Sequence, residues 1–153
     1  MKKVDMNKIS KLREKTGAPM MRAIKVLEEQ NGDSAKAEKI LKKEGFEKAE
    51  KKEERNTTQG LVETYEHHSG KVASVVELLC ETDFVAKNKI FKELAHNLAL
   101  QVASMGAKDA TELIKQDFIR DPSKKVSYLI KEAISKTGEN IKIGRIYRIE
   151  IGE

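Results

Sequence analysis

Apolar residues along this chain recur first at helical spacing, then at strand spacing, and then in each again. From about Asp5 to Phe46 they predict three short helices. The first carries Ile9 and Leu12 and stops at Thr16-Gly17, where glycine supplies a left-handed cap. The second opens on Pro19, whose fixed φ suits a first helical turn, and sets Met20, Ile24 and Leu27 on one side with Met21 beside them. It stops at Asn31-Gly32. Asp33 caps a third helix, which carries Ala37, Ile40 and Leu41 and ends at Gly45-Phe46. So small a bundle has a small core.

From Glu47 to Gln59 the chain is almost wholly polar, with Lys48, Glu50, Lys51, Lys52, Glu53, Glu54 and Arg55, and it has nothing to bury. It reads as a solvated linker, with any helix confined to its start. Leu61 to Tyr65 and Val72 to Cys80 then read as strands joined by the turn His67-His68-Ser69-Gly70-Lys71. In the second strand Val72, Val76, Leu78 and Cys80 point one way, and Ala73, Val75 and Leu79 the other. Both faces are mostly apolar, so both should be covered. A helix from about Asn88 to Met105, with Ile90, Phe91, Leu94, Ala95, Leu98, Ala99 and Val102 on one side, can cover one of them.

After Gly106 the pattern is less regular, with Leu113, Ile114, Phe118 and Ile119. Asp121-Pro122 reads as a cap followed by proline at a first helical position. The helix that follows presents Val126, Leu129, Ile130, Ala133 and Ile134 and stops at Gly138. In the last run Ile141, Ile143, Tyr147, Ile149 and Ile151 alternate with Lys142, Arg148 and Glu150, as in a half-buried strand. The expected fold is α+β. It has a three-helix bundle over 1–46, a charged linker over 47–59, and a core over 60–153 in which a small three-stranded antiparallel sheet packs against helices.

Composition excludes more than it selects. Of 153 residues 36% are charged and 5% aromatic, and the net charge is +5. The basic and acidic residues are interspersed, so the charge permits an acidic partner or a nucleic acid without choosing between them. No apolar run has the length of a membrane span, and the basic start Met1-Lys2-Lys3 is followed by no apolar signal core. One cysteine, Cys80, cannot form an internal disulfide. These features point to a reducing, cytoplasmic setting. His67 and His68 are adjacent, and strand neighbours face opposite ways, so they read as loop polarity and no metal site is expected. Cys80 has no base beside it in sequence and reads as a small buried hydrophobe. There is no glycine-rich phosphate loop, paired-carboxylate pattern or metal-ligand spacing, so neither an enzyme nor a cofactor is expected. No aromatics interleave with a basic strand, and direct nucleic-acid binding is not expected.

One stretch asks for more than packing. In Glu77-Leu78-Leu79-Cys80-Glu81-Thr82-Asp83-Phe84-Val85-Ala86-Lys87-Asn88 an apolar strand turns into a helix through a polar corner with one large aromatic. Thr82 and Asp83 can cap the new helix, which places Phe84 at its start on the edge of the sheet. A lone aromatic there either folds back on its own helix as a staple or stands out as a contact.

Thr82 to Asn88, preceded by Cys80-Glu81, is similar to the signature of the elongation factor Ts family, the guanine-nucleotide exchange factors of elongation factor Tu. Leu12-Arg13-Glu14-Lys15-Thr16-Gly17-Ala18-Pro19-Met20-Met21 resembles a second family motif, in the expected order. Gly138-Glu139-Asn140-Ile141 is similar to the start of the family's C-terminal strand. The likeness spans nearly the whole chain, which is short for the family. The resemblance implies a bundle of the ubiquitin-associated type and a core of the dimerisation type. It implies that Thr82, Asp83, Phe84 and Val85 disturb the Mg²⁺ site of elongation factor Tu, with Phe84 wedged between helices of the G domain and Asp83 fixing the corner by hydrogen bonds. It implies that Arg13, Thr16, Gly17, Met20, Met21 and Lys25 line a bundle edge that docks on the same domain. Pro19, Arg22, Ala23, Ile24 and Leu79 depart from the family's usual residues, and Lys25 is the neighbouring candidate for a lysine contact that Ile24 lacks. Longer relatives continue into a second core half that covers the sheet, so two copies of this chain are expected to pack face to face. A covering loop over Leu113 to Ile119 is the alternative. The rival function is a non-enzymatic adaptor or RNA-associated protein that uses the bundle for binding.

Overall fold

The structure, a computed structural model, describes residues 4–153; the start at Met1-Lys2-Lys3 lies outside the described residues. Helix α1 (Met6–Thr16) is capped by Asp5, whose carboxylate accepts the Asn7 N–H at 2.9 Å. It buries Ile9 and Leu12 and ends at Gly17, whose φ is 70°. In α2 (Met20–Glu29) Pro19 is the residue before the helix and not its first turn. The buried residues of α2 are Ala23, Val26 and Leu27. Of the expected row Leu27 is buried and Ile24 packs half-buried on the bundle core, while Met20 is exposed. The faces of α1 and α3 admit the small Ala23 and leave the methionines outside. Asn31 and Gly32, with φ 54° and 82°, make the turn into α3.

Helix α3 (Ser34–Lys51) starts on Asp33, which accepts the Lys36 N–H at 3.1 Å. It does not stop at Gly45-Phe46. Gly45 is internal to the helix because Ser135 lies against it, where a Cβ would stand 2.0 Å from the serine Oγ. The second half of α3 is held by tertiary packing. The Phe46 ring meets Tyr128 edge to face at 4.8 Å, and Ala49 is buried in the larger core. Tertiary burial outweighs the polar composition here, and only residues 52–58 are irregular.

Strands β1 (Gln59–Glu66) and β2 (Val72–Cys80) form the expected hairpin, closed by the His67 N–H on the Val72 carbonyl at 2.9 Å. One helical turn, α4 (Asp83–Ala86), leads to α5 (Lys89–Met105). Next come α6 (Ala110–Lys115) and a short ribbon of β3 (Asp117–Phe118) and β4 (Asp121–Lys125). Asp121-Pro122 thus lies in a strand and does not open a helix. Helix α7 (Val126–Thr137) begins four residues later, and β5 (Lys142–Glu150) completes a sheet of order β1-β2-β5, antiparallel throughout.

Ser74, Val76, Leu78 and Cys80 form the inner row of β2, and α5 lies across it with Phe91, Leu94, Ala95, Leu98, Ala99 and Val102. The Ser74 hydroxyl is satisfied by the Ala99 carbonyl at 2.6 Å. Buried Gln101 of α5 donates to the Asp117 carbonyl at 3.0 Å and accepts from the Ile119 N–H at 2.9 Å. That fixes the 110–119 stretch on the helical side of the sheet, so it is not the cover for the other face.

Strand β5 departs from its sequence pattern. Its register against β2 shifts between Val76 and Leu78, so that Ile143 and Ile146 pack on the core while Tyr147 and Ile149 face outward. The Glu77 carboxylate occupies the bulge, accepting the Arg145 backbone N–H at 3.1 Å and pairing with the Arg145 guanidinium at 2.9 Å. A Cβ on Gly144 would stand 2.2 Å from that carboxylate. One extra residue reverses every later side chain, because strand side chains alternate with a period of two. The outer face consequently carries Tyr147 and Ile149 beside Val62 of β1, all exposed, with Ile151 exposed just past the end of β5.

Candidate partner-binding site

Cys80 ends β2 inside the core, and the chain turns through Glu81 and Thr82 into α4. The cap is Thr82: its hydroxyl oxygen accepts the Val85 N–H at 3.4 Å. Asp83 is the first helical residue, and its carboxylate faces Lys87 at 3.7 Å in solvent. Within the chain the cap hydrogen bond is made by Thr82, and Asp83 sits beside it against Lys87. Val85 packs on the core and Ala86 is buried, which turns the preceding residue, Phe84, outward. Phe84 is 83% exposed. It makes no staple. Asn88 then caps α5, accepting the Ile90 N–H at 2.8 Å.

The corner has a second support that sequence reasoning did not reach. Glu139, in the turn after α7, accepts the Thr82 N–H at 2.9 Å and the Thr82 hydroxyl at 2.7 Å. Its neighbour Asn140 donates its N–H to Glu81 at 2.8 Å and its amide to the Arg55 carbonyl at 2.8 Å. The only available signal was the motif Gly138-Glu139-Asn140-Ile141, and nothing in it names Thr82 as the target. Burial pushes the Cys80 thiol up from its ordinary value, with the Glu139 charge adding to it, so Cys80 stays a protonated hydrophobe.

The bundle-edge residues divide. Met20, Met21, Lys25 and Arg13 are exposed, Met21 at 75%. Arg13 also reaches the Ala18 carbonyl at 3.3 Å, stiffening the α1–α2 turn. Thr16 is buried, its hydroxyl donating to the Leu12 carbonyl at 2.6 Å. Gly17 faces α7, where a Cβ would stand 2.7 Å from the Lys136 Cα. Thr16 and Gly17 thus seat the bundle on the core, while the other four form its outer edge. Arg22, at one of the departures from the family pattern, forks onto Glu44 of α3, and that hydrogen-bonded pair holds the Glu44 carboxyl below its ordinary range.

Among the described residues no group of three or more His, Cys, Asp or Glu could hold a metal ion, and His67 is engaged with Ser69 at 2.8 Å. No described helix is long and apolar enough to cross a membrane. What the site offers is an exposed aromatic on a braced corner, and a separate edge of exposed methionines.

Comparison with known proteins agrees with the motifs. The family model described as Elongation factor TS matches residues 81–153. Elongation factor Ts of Thermotoga sp. (strain RQ2) is 40% identical over 193 residues, covering 98% of this chain and 97% of that protein. Elongation factor Ts of Clostridium kluyveri (strain ATCC 8527) is 45% identical over 145 residues, covering 95% of this chain and 47% of that protein. The Thermotoga alignment is longer than this chain, so that relative carries segments that this chain lacks. The chain belongs to the elongation factor Ts family.

Proposed function

We propose that this protein is a translation elongation factor that binds elongation factor Tu in its GDP form and promotes release of the nucleotide. The observation that carries the mechanism is Phe84, a large apolar ring held in water on a one-turn helix whose Val85 is half-buried against the core and whose Ala86 is buried. Leaving such a ring exposed forgoes the roughly 1.5–3 kcal/mol that its burial would contribute. The family resemblance names the receiver: helices of the G domain beside the Mg²⁺ site. Phe84 enters between them, Val85 and Thr82 hold the turn behind it, and Asp83 beside it is free to accept donors from the partner. The Mg²⁺ site and phosphate-binding loop are disturbed and GDP leaves, with no bond made or broken. A partner that binds best to the nucleotide-free state must weaken nucleotide binding by the same factor.

Arg13, Met20, Met21 and Lys25 form the second contact, on the outer edge of a bundle of the ubiquitin-associated type, while Thr16 and Gly17 set its angle. Methionine suits such an edge because its unbranched side chain adapts to the surface it meets. Two copies pair through the outer sheet face with Tyr147, Ile149 and Ile151, giving an isologous dimer that presents two Phe84 corners. The setting is the cytoplasm, and no direct contact with nucleic acid is involved. The test of the function is the release rate of a fluorescent GDP from elongation factor Tu with and without this protein. A rate unchanged by saturating protein sinks the proposal.

A further inference from the structure

A helix of one turn has little stiffness of its own, since helix formation gains only after the first turn is closed. Phe84 stands on such a turn, and the bracing comes from a residue distant in sequence. Glu139 grips Thr82 twice, one oxygen on the backbone N–H at 2.9 Å and the other on the hydroxyl at 2.7 Å. Because the hydroxyl spends its single proton on Glu139, its lone pairs face the Val85 N–H. The carboxylate therefore orients the cap of α4 as well as its backbone. Asn140, 1% exposed, holds the preceding residue Glu81. Glu139 brings α7 no benefit in return. It follows Gly138 at the C-terminal end of α7, where the helix dipole disfavours a negative charge.

We propose that Glu139 is a positioning residue for nucleotide exchange, which by holding Thr82 at its N–H and hydroxyl fixes the direction in which Phe84 leaves the surface. This rests on the reading of Phe84 as the wedge. The same end of α7 also seats the bundle, through Ser135 and Lys136 against Gly45 and Gly17. The two partner-facing patches thus share one mount at separate points. Loss of Glu139 acts on the rate of the step that Phe84 drives, and leaves the hold of the bundle edge on the partner.

The experiment is a titration of elongation factor Tu carrying fluorescent GDP with the full chain, reading the saturating release rate and the half-saturating concentration separately. Glu139→Ala removes two hydrogen bonds to a charged acceptor, and the saturating rate is expected to fall about tenfold with the half-saturating concentration within about twofold. Glu139→Gln keeps the shape and one acceptor and is expected to fall between parent and Ala. Combining Thr82→Ala with Glu139→Ala is expected to cost less than the two single losses added together, because both remove the hydroxyl bond while only Glu139→Ala removes the one to the backbone N–H. A parent-level saturating rate in Glu139→Ala overturns the proposal. So does a loss that appears only in the half-saturating concentration or only as a lowered melting temperature. If Glu139→Ala does not fold, the Gln variant decides on the same criteria. Phe84→Ala, measured alongside, separates the two ideas. If it exchanges at the parent rate, the wedge reading fails; if it is slow while Glu139→Ala is fast, only the positioning role fails.

Discussion

Gly17 lies so close to Lys136 that a methyl group on it would stand 2.7 Å from the lysine Cα. With φ at 70°, the same glycine closes α1 in a conformation that an L-residue adopts at a cost of about 1–2 kcal/mol. One residue therefore ends a helix and seats the bundle on the core. Gly17→Ala is expected to lower the melting temperature by at least about 3 °C, on the scale of about 2–4 °C per kcal/mol for a chain of this size. It should also raise the half-saturating concentration in exchange, because the bundle edge is tilted. A variant that melts with the parent would show that the contact is looser than the structure has it.

Phe84 gives the opposite combination. Its ring is in solvent, so Phe84→Ala is expected to change stability by less than about 0.5 kcal/mol, as for surface substitutions generally. GDP release should nevertheless slow by an order of magnitude or more. Denaturant melts and stopped-flow release on one preparation check both halves.

Truncation locates the boundary between bundle and core. A chain starting at residue 47 keeps Ala49 in the larger core and the Arg55 carbonyl under Asn140. It is expected to fold, with the circular dichroism of an α+β core, and to exchange poorly for want of the bundle edge. A chain starting at residue 57 loses both contacts and should melt several degrees lower. Equal melting of the two would return residues 47–56 to the status of a linker.

The proposed pairing of two copies rests on the outer sheet face. Tyr147 and Ile149 leave apolar surface in water, and its burial contributes about 25 cal/mol per Å². Light scattering at micromolar concentration is expected to give twice the 17.3 kDa chain mass. Ile149→Glu should return a single-chain particle that remains folded. A parent of single-chain mass rules the dimer out.

Acid reaches the fold through the β5 bulge. The Arg145 guanidinium and then its backbone N–H hold the Glu77 carboxyl below its ordinary value. A carboxyl depressed on folding stabilises the protein at pH above its unfolded value of about 4.3, and that contribution is lost as pH falls through the lower folded value. Amide exchange at Arg145 should accelerate in that acidic window. In Glu77→Gln the acceleration should vanish, with exchange faster at all pH. An Arg145 amide in the parent that is indifferent to acid would contradict the role given to Glu77.

What the sequence determined by itself was local. Asp5 and Asp33 cap their helices, Gly17, Gly106 and Gly138 close theirs, and the hairpin turns at Ser69-Gly70, because caps and turns are decided by groups a few residues apart. The apolar row of α5 was legible for the same reason, as was the exposed corner in outline. Tertiary structure decided the rest. The continuation of α3 past Gly45 depends on Phe46 meeting Tyr128 and Ala49 entering a distant core. The reversal of β5 depends on one carboxylate, Glu77, filling a bulge on the neighbouring strand. The brace of Thr82 comes from Glu139, 57 residues away. None of these partners is adjacent in the chain, and periodicity records only which residues avoid water, not which surface they find.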